Sequence, residues 1–487
     1  MPMASPPPQR EKLRVLLIPF FATSHIGPFA DLAFHLAAAR PGVVEATVAV
    51  TPANVPVLRS ALARRGPSRH AAAVQIATYA FPAVDGLPPG VENHSAVKAA
   101  DAWRIDAVGS DEQLMRPGHE GLVKDLSPDA IVSDILFHWN TDIAASVGVP
   151  CVTLHAMGAF PMLALSCLTG AEATGGGGAV ALPGFLPPDV RIPVTELPEG
   201  LRSQSQDGVR ASRDQLTSAH SSCFGLIVNT FFDLEDRYCE MYMRHMKHAY
   251  FVGPLSLPPP PQLAAGDDGS RCIDWLDRKP AQSVVYLCFG TLSHTSEAQP
   301  RELALGLEAS GKPFLWVVRL EEWVLPEGWK ERVGDRGMVV TGWAPQTAIL
   351  AHPAVGAFVT HCGWNSVQET VVAGMPVLTW PKVFEQFITE RFVTEVLKIG
   401  ERLWPEGAGV RSTRYEEHEL VPSEAVARAV AKFMEPGGAG DAARSRAKEL
   451  SAKAHAAMAE GGSSHGDLRR LIDDLIKEKS AGAGTTV

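Results

Sequence analysis

Residues 343–386 read WAPQTAILAHPAVGAFVTHCGWNSVQETVVAGMPVLTWPKVFEQ, and the middle of this stretch predicts a strand, a tight turn and a helix. Gly356 to Thr360 is short, apolar and partly β-branched, as a buried strand should be. His361-Cys362-Gly363 follows as a polar turn. From Trp364 the spacing becomes helical, with Val367, Val371 and Val372 on one side and Asn365 and Glu369 four residues apart on another. Gly374 suits the position just past a helix end, and Pro376 follows it. A helix that opens directly after a buried strand presents unpaired N–H groups and the positive end of its dipole, which together make an anion site. Asn365 or Ser366 is placed to cap it. Ser366 and His361 add donors suited to a diphosphate. Glu369, one turn on, suits a ribose diol, and Trp343 offers a flat face for a base. Glu385 and Gln386, after the apolar run Val377–Thr379, carry enough polar atoms to hold several hydroxyls of a sugar.

The first half of the chain opens on Arg14–Phe21, nearly continuous in apolar residues, as a parallel strand buried on both faces is. Ala22 to Pro28 (ATSHIGP) reads as a turn, with Pro28 in the first turn of the next helix and Val44–Thr51 as the next strand. Strand, turn, helix and strand in this order make a βαβ unit of a doubly wound sheet. No GxGxxG stands at the turn, so the dinucleotide fingerprint is missing. His25 lies on the turn, at the carboxyl edge of the first strand. Ser127–Asp134 predicts another strand, which delivers Asp134 to the same edge. By position alone, His25 reads as a surface turn residue and Asp134 as a cap or surface charge. The aromatic- and methionine-rich segments from Ile135 to Trp139 and from His155 to Leu163 suit either a pocket lining or core.

Ser256 to Ser270 is proline-rich, then glycine- and acid-rich, and reads as a linker. It separates residues 1–255 from residues 271–465, with residues 466–487 as a final helix and an unstructured tail from Ser480. The alternation restarts at Ser283–Phe289, a strand followed by Gly290-Thr291, whose backbone N–H groups suit a phosphate. Gly306 to Pro313 (GLEASGKP) nearly spells a P-loop, but it ends in proline and runs from helix to strand, opposite to a true one.

A net charge of −10 with no basic patch argues against a nucleic-acid partner. Seven scattered cysteines without a CxxC exclude a disulfide framework and a zinc site of the usual spacing, and suit a reducing, cytoplasmic compartment. No signal peptide and no membrane-length apolar run is visible. Asn93-His94-Ser95 is a sequon that reads as a plain loop in that compartment.

The 343–386 stretch resembles the signature box of the plant secondary-product glycosyltransferases, family 1 of the UDP-sugar-dependent enzymes. The resemblance runs through WAPQ, HPAVGAFVTHCGWNS, the Glu of QET and the closing EQ, and extends more weakly over nearly the whole chain. It implies the GT-B fold: two doubly wound, Rossmann-like α/β domains facing across a cleft, acceptor on the first and UDP-sugar on the second. It implies that Trp343 stacks on uracil beside Ala344 and Gln346, and that Glu369 holds the ribose. Thr291, His361, Gly363, Asn365 and Ser366 would take the diphosphate, and Trp364, Glu385 and Gln386 the sugar. The loop histidine, His25, becomes the general base and Asp134 its partner. The activity implied is inverting transfer of glucose from UDP-glucose, a co-substrate with no resident cofactor, to a hydroxyl of a flavonoid or other small phenolic. No DxD-like carboxylate pair occurs in the box, so metal independence is expected. Thr291 stands where serine is commoner, and the His25 loop is a variant. C-glycosylation, another UDP-sugar and a non-catalytic UDP-sugar-binding protein stay open, and a monomer is the default.

Overall fold

The computed structural model describes residues 12–66, 68–97, 101–170, 179–182, 184, 190–198, 201, 222–257, 267–290, 296, 298–318, 324–405, 407–414 and 417–483. Its strands are β1 (Leu13–Ile18), β2 (Val44–Val50), β3 (Gln75–Thr78), β4 (Ala130–Asp134), β5 (Cys151–His155), β6 (Ala179–Ala181), β7 (Arg191–Pro193), β8 (Gly225–Val228), β9 (Ala249–Phe251), β10 (Val284–Cys288), β11 (Phe314–Val318), β12 (Gly337–Thr341), β13 (Val355–Thr360), β14 (Val377–Thr379) and β15 (Gly400–Arg402). Seven of them form one sheet in the order β3-β2-β1-β4-β5-β8-β9, and six form a second in the order β12-β11-β10-β13-β14-β15. The pairings within both sheets are parallel, and β6 and β7 make a separate antiparallel hairpin.

Helices cover both faces of each sheet, which is why β10, and most of β1 and β13, read as apolar runs. Two of the four apolar cores flank the first sheet: one holds Leu13, Val15 and Leu17, the other Leu16 and Ile18 from the alternate face of the same strand. Val285, Leu287, Ala357 and Val359 point to one side of the second sheet, and Tyr286 and Phe358 to the other.

Each strand order reverses once. In the first sheet the chain winds from β1 outward to β3, then returns to lay β4 on the other side of β1. In the second it winds from β10 to β12 and returns with β13 beside β10. At such reversals the connections leave in opposite directions and open a crevice at the carboxyl ends of the strands. His25 follows β1 and Asp134 ends β4. Gly290 follows β10 and His361 follows β13. The topology therefore puts these groups at the two switch points.

Three expectations need correction. The first helix spans Thr23–Ala39, so His25 stands in its opening turn and Pro28 lies inside it. Residues 258–266 of the expected linker lie outside the described residues, and Asp267–Ser270 already belong to the helix Asp267–Leu276. The final helix runs Ser463–Ala483, through the start of the expected tail. Of the two readings open for Ile135 to Trp139, Phe137 and Trp139, 1% and 0% exposed, take the core one. Gly175–Gly178 lie outside the described residues.

The final helix packs on the first sheet. Leu468, Leu471, Ile472 and Leu475 join the core that holds Leu13, Val15, Tyr250 and Val252. Phe251 N donates to Asp467 Oδ2 at 2.7 Å, Tyr250 Oη to Asp474 Oδ2 at 2.8 Å, and Ser464 Oγ to the Gly253 carbonyl at 2.5 Å. The seven cysteines are free thiols. Among the described residues no helix is long and apolar enough to cross a membrane.

Candidate active site

The helix Trp364–Ala373 starts on Gly363, whose extended backbone (φ −61°, ψ 138°) serves as N-cap, and among the described residues no side chain caps it. The expected caps are used elsewhere. Ser366 Oγ accepts from Gln346 Nε2 at 3.2 Å, and Asn365 Nδ2 donates to the Ser24 carbonyl at 2.7 Å. The first N–H groups of the helix thus keep the donor capacity and positive potential that suit an anion. The preceding Cys362 is held left-handed at φ 66°, a conformation of order 1 kcal/mol for a residue with a Cβ. Thr360 Oγ1 accepts from Cys362 N at 3.2 Å and fixes the turn. The His361 ring is wedged between two glycines: a Cβ on Gly290 (φ 72°) would fall 2.7 Å from it, and one on Gly363 2.4 Å. Gly374 closes the helix at φ 64° as the spacing predicts.

Pro28 has no N–H to give Ser24, four residues back, where an α-helix would place a bond. That orphaned carbonyl is the one Asn365 takes. A residue of the second half thereby holds the peptide next to His25. Trp364 makes a second bridge: its Nε1 donates to the Asn229 carbonyl at 2.7 Å, and its ring fills the space over Gly158, where a Cβ would fall 2.2 Å from it. Its indole N–H is therefore committed to the protein.

His25 Nδ1 lies 2.8 Å from Asp134 Oδ2. The same oxygen accepts from Phe20 N at 3.1 Å, and Oδ1 accepts from Leu136 N at 3.2 Å, so the carboxylate is held by three donors. Burial alone depresses the His25 pKa. The charge and hydrogen bond of Asp134, backed by Glu385 and Asp106, outweigh burial and leave it above the usual histidine value. Burial raises the pKa of Glu385, against a backbone hydrogen bond and the pull of His25. Glu385 and His25 thus share a field although they come from opposite halves. Glu385 follows Phe384, held left-handed at φ 53°, and is the N-cap of the helix Gln386–Arg391. Gln386 Oε1 accepts from Lys382 N and Val383 N at 2.9 and 3.2 Å, so its oxygen end is used internally.

Gln346 stands between Tyr286, which donates to its Oε1 at 3.1 Å, and Glu369, whose Oε2 it reaches at 2.6 Å. Burial raises the Glu369 pKa, tempered by that bond and by Arg64 of the first half. Trp343 is half exposed on the segment between β12 and the helix Gln346–Leu350, after Gly342 at φ 103°, and Ala344 is buried beside it. Thr291 lies outside the described residues. Sequence reasoning missed Ser24 and Asn229. The signal for Ser24 becomes readable only once Pro28 is placed inside the helix, since a proline there frees the carbonyl four residues earlier.

The family model described as UDP-glucoronosyl and UDP-glucosyl transferase matches residues 265–396. Over 98% of this chain and 98% of the relative, the sequence is 36% identical to UDP-glycosyltransferase 73E1 of Stevia rebaudiana. It is 35% identical to scopoletin glucosyltransferase of Nicotiana tabacum, over 97% and 99% of the two chains. The fold matches Glycyrrhiza uralensis UGT73P12, crystallised with glycyrrhetinic acid 3-O-monoglucuronide, at a TM-score of 0.84 and 31% identity, over 97% and 98% of the chains. Medicago truncatula UGT71G1, crystallised with UDP-glucose, matches at 0.77 and 26%, over 95% and 98%. Two parallel sheets facing through Asn365 and Trp364, with the box on the second, are the GT-B arrangement, and the chain belongs to the plant family 1 UDP-glycosyltransferases.

Proposed function

We propose that this enzyme transfers glucose from UDP-glucose to a hydroxyl of a small phenolic, with His25 as general base and Asp134 as its positioning partner. The observation that carries the reading is the His25–Asp134 bond at 2.8 Å, beside a backbone carbonyl held by Asn365. With Nδ1–H donated to Asp134, Nε2 keeps a lone pair for the acceptor proton. The acceptor oxygen forms its bond to C1 of the sugar as the C1–oxygen bond to the diphosphate breaks on the opposite face. UDP departs with the electron pair, toward the uncapped N–H groups at Gly363–Ser366 and the wedged His361. A single displacement inverts the anomeric centre and yields a β-linked product.

In this reading residues 1–255 form the acceptor domain and 271–465 the donor domain, joined by 256–270 and closed by the helix of 466–487. Trp343 stacks on uracil beside Ala344, Gln346 turns from Glu369 to the nucleoside, and Glu369 receives the ribose diol. Thr291 joins the diphosphate group of donors. Glu385 and the amide nitrogen of Gln386 take sugar hydroxyls. Scopoletin glucosyltransferase, by its name, acts on a phenolic, which supports that acceptor class.

The test is UDP release from UDP-glucose over a panel of phenols, with EDTA present, product mass recorded and the anomeric configuration read by proton coupling. A hexose mass gain with a β linkage, lost in His25→Ala, is expected. An α linkage, or His25→Ala turning over like the wild type, sinks the mechanism.

A further inference from the structure

Asn93-His94-Ser95 has a use that its sequon reading does not suggest. The Asn93 amide is buried: Nδ2 donates to Asn54 Oδ1 at 2.6 Å, and Oδ1 accepts from Ser95 N at 2.8 Å. The loop is sewn onto the segment that ends in the catalytic histidine. His94 N donates to the Phe21 carbonyl at 3.0 Å, and Ser95 Oγ lies 2.9 Å from Thr23 Oγ1. His94 itself is buried, and its Nε2 lies 2.6 Å from Asp106 Oδ1. The Asp106 carboxylate is 52% exposed. This is a second histidine–carboxylate pair, and one phenylalanine ring separates it from the first. The Phe20 centroid lies 5.5 Å from that of His25 and 5.9 Å from that of His94.

The spacing is rigid. Phe20 N is bonded to Asp134, and the helix Ala102–Ser110 that carries Asp106 presses on the Phe20 ring so closely that a Cβ on Gly109 would lie 2.2 Å from it. Asp106 Oδ2 and His94 Nδ1 have no partner among the described residues. Phe21 and Phe137 pack on the same ring from within the core, and Phe81 packs on Phe21, which holds Phe20 in place between the two pairs. A half-exposed carboxylate with one oxygen fixed, one ring away from the base, is suited to a phenolic O–H. Hydrogen bonds from such a donor to a charged acceptor are among the stronger ones.

We propose that the His94–Asp106 pair is a second anchor of the acceptor site, which selects phenols of two or more rings whose second hydroxyl binds Asp106 while the first reacts at His25. This rests on the glycosyl-transfer reading above, with His25 as base. A purely structural pair would hold the loop and leave acceptor choice alone.

The probes are 7-hydroxyflavone and 7,4′-dihydroxyflavone, compared as the ratio of kcat/KM in wild type and Asp106→Asn. This position is exposed and the change isosteric. The expected result is a wild-type preference for the dihydroxy compound that falls about tenfold in the variant, the scale of one charge-assisted hydrogen bond. The acidic limb of kcat/KM should also move to lower pH on both acceptors. The groups acting on His25 are Asp134, Glu385 and Asp106, and one of these three charges is gone. His94→Asn should lower the ratio in the same direction by removing the group that aims the carboxylate. An unchanged ratio, whether both acceptors lose equally or neither loses, overturns the anchor and leaves the transfer reading intact. No transfer to either flavone while simple phenols are glucosylated also overturns it. No transfer to any phenol fails the reading beneath it.

Discussion

Asp134→Asn keeps the shape of the side chain and removes its charge. The structure shows what the swap must do. The two carboxylate oxygens accept from three donors: His25 Nδ1 and Phe20 N on Oδ2, and Leu136 N on Oδ1. Asparagine has one oxygen. If its NH2 takes the Oδ1 place, it faces the Leu136 N–H. If it takes the Oδ2 place, it faces Phe20 N–H and donates to His25 Nδ1, which moves the imidazole proton to Nε2, where the base needs a lone pair. Either orientation leaves a buried donor against a donor, about 1–3 kcal/mol of stability. The catalytic loss is larger. Positioned general-base catalysis contributes about 10²–10⁴-fold, and most of it should vanish from kcat.

The pH profile carries the sign. As the proposed base, His25 works when neutral, so kcat/KM should rise with pH through its pKa, which stands above the usual value in the wild type. Without the Asp134 charge burial prevails, so the limb moves to lower pH while the plateau drops. The assay is initial UDP release against pH, with thermal unfolding as the fold check. A plateau within about threefold of wild type would refute the assignment of the base pair. A lowered plateau with an unmoved limb would show that some group other than His25 titrates.

Trp364→Phe removes the 2.7 Å bond to the Asn229 carbonyl, leaving a buried acceptor unpaired; a loss of about 1–3 kcal/mol in urea unfolding and a higher KM for UDP-glucose are expected. Gln346→Ala frees Glu369 and removes the bond to Ser366, and should raise the KM for UDP-glucose several-fold with kcat little changed, as kinetics at varied donor will show. Burial lifts the Glu235 pKa from 4.5 to about 7. The folded protein therefore keeps a proton that the unfolded chain has released, and stability falls as pH rises across that window. The advantage of wild type over Glu235→Gln in melting temperature should shrink from pH 5 to pH 8. EDTA should leave UDP release unchanged, and a metal-restorable loss would contradict the reading of the box.

The residues of the site were legible in the sequence, but the way they share their bonds was not. β10 and β13 were readable because strands buried on both faces advertise themselves as apolar runs. The first helix was misplaced because Pro28 reads as a starting residue. It is tolerated inside because its lost partner, the Ser24 carbonyl, is taken by Asn365 from a distant part of the chain. The same bond explains why Asn365 does not cap its own helix. Trp364 and Gln386 have the right chemistry for a sugar, yet sequence does not tell which way a side chain faces, and here both spend polar atoms on the protein. The final helix outlasts its expected end partly because Lys479 bonds the Lys12 carbonyl and Asp129, two groups of the first half of the chain.

That last helix has a consequence for how the protein is made. The core of the first sheet contains Leu468, Leu471, Ile472 and Leu475, yet the strands they cover end at Phe251. A ribosome adding roughly 5–20 residues each second takes on the order of 10–40 s to deliver the helix after β9 has been synthesised. Throughout that interval the nascent first half carries an apolar groove with no cover. The second half is thus synthesised while its neighbour is still incomplete, and the two finish together. Growing chains arrested before residue 463 should bind holdase chaperones, and chains arrested on a C-terminal extension long enough to carry the final helix out of the exit tunnel should let them go.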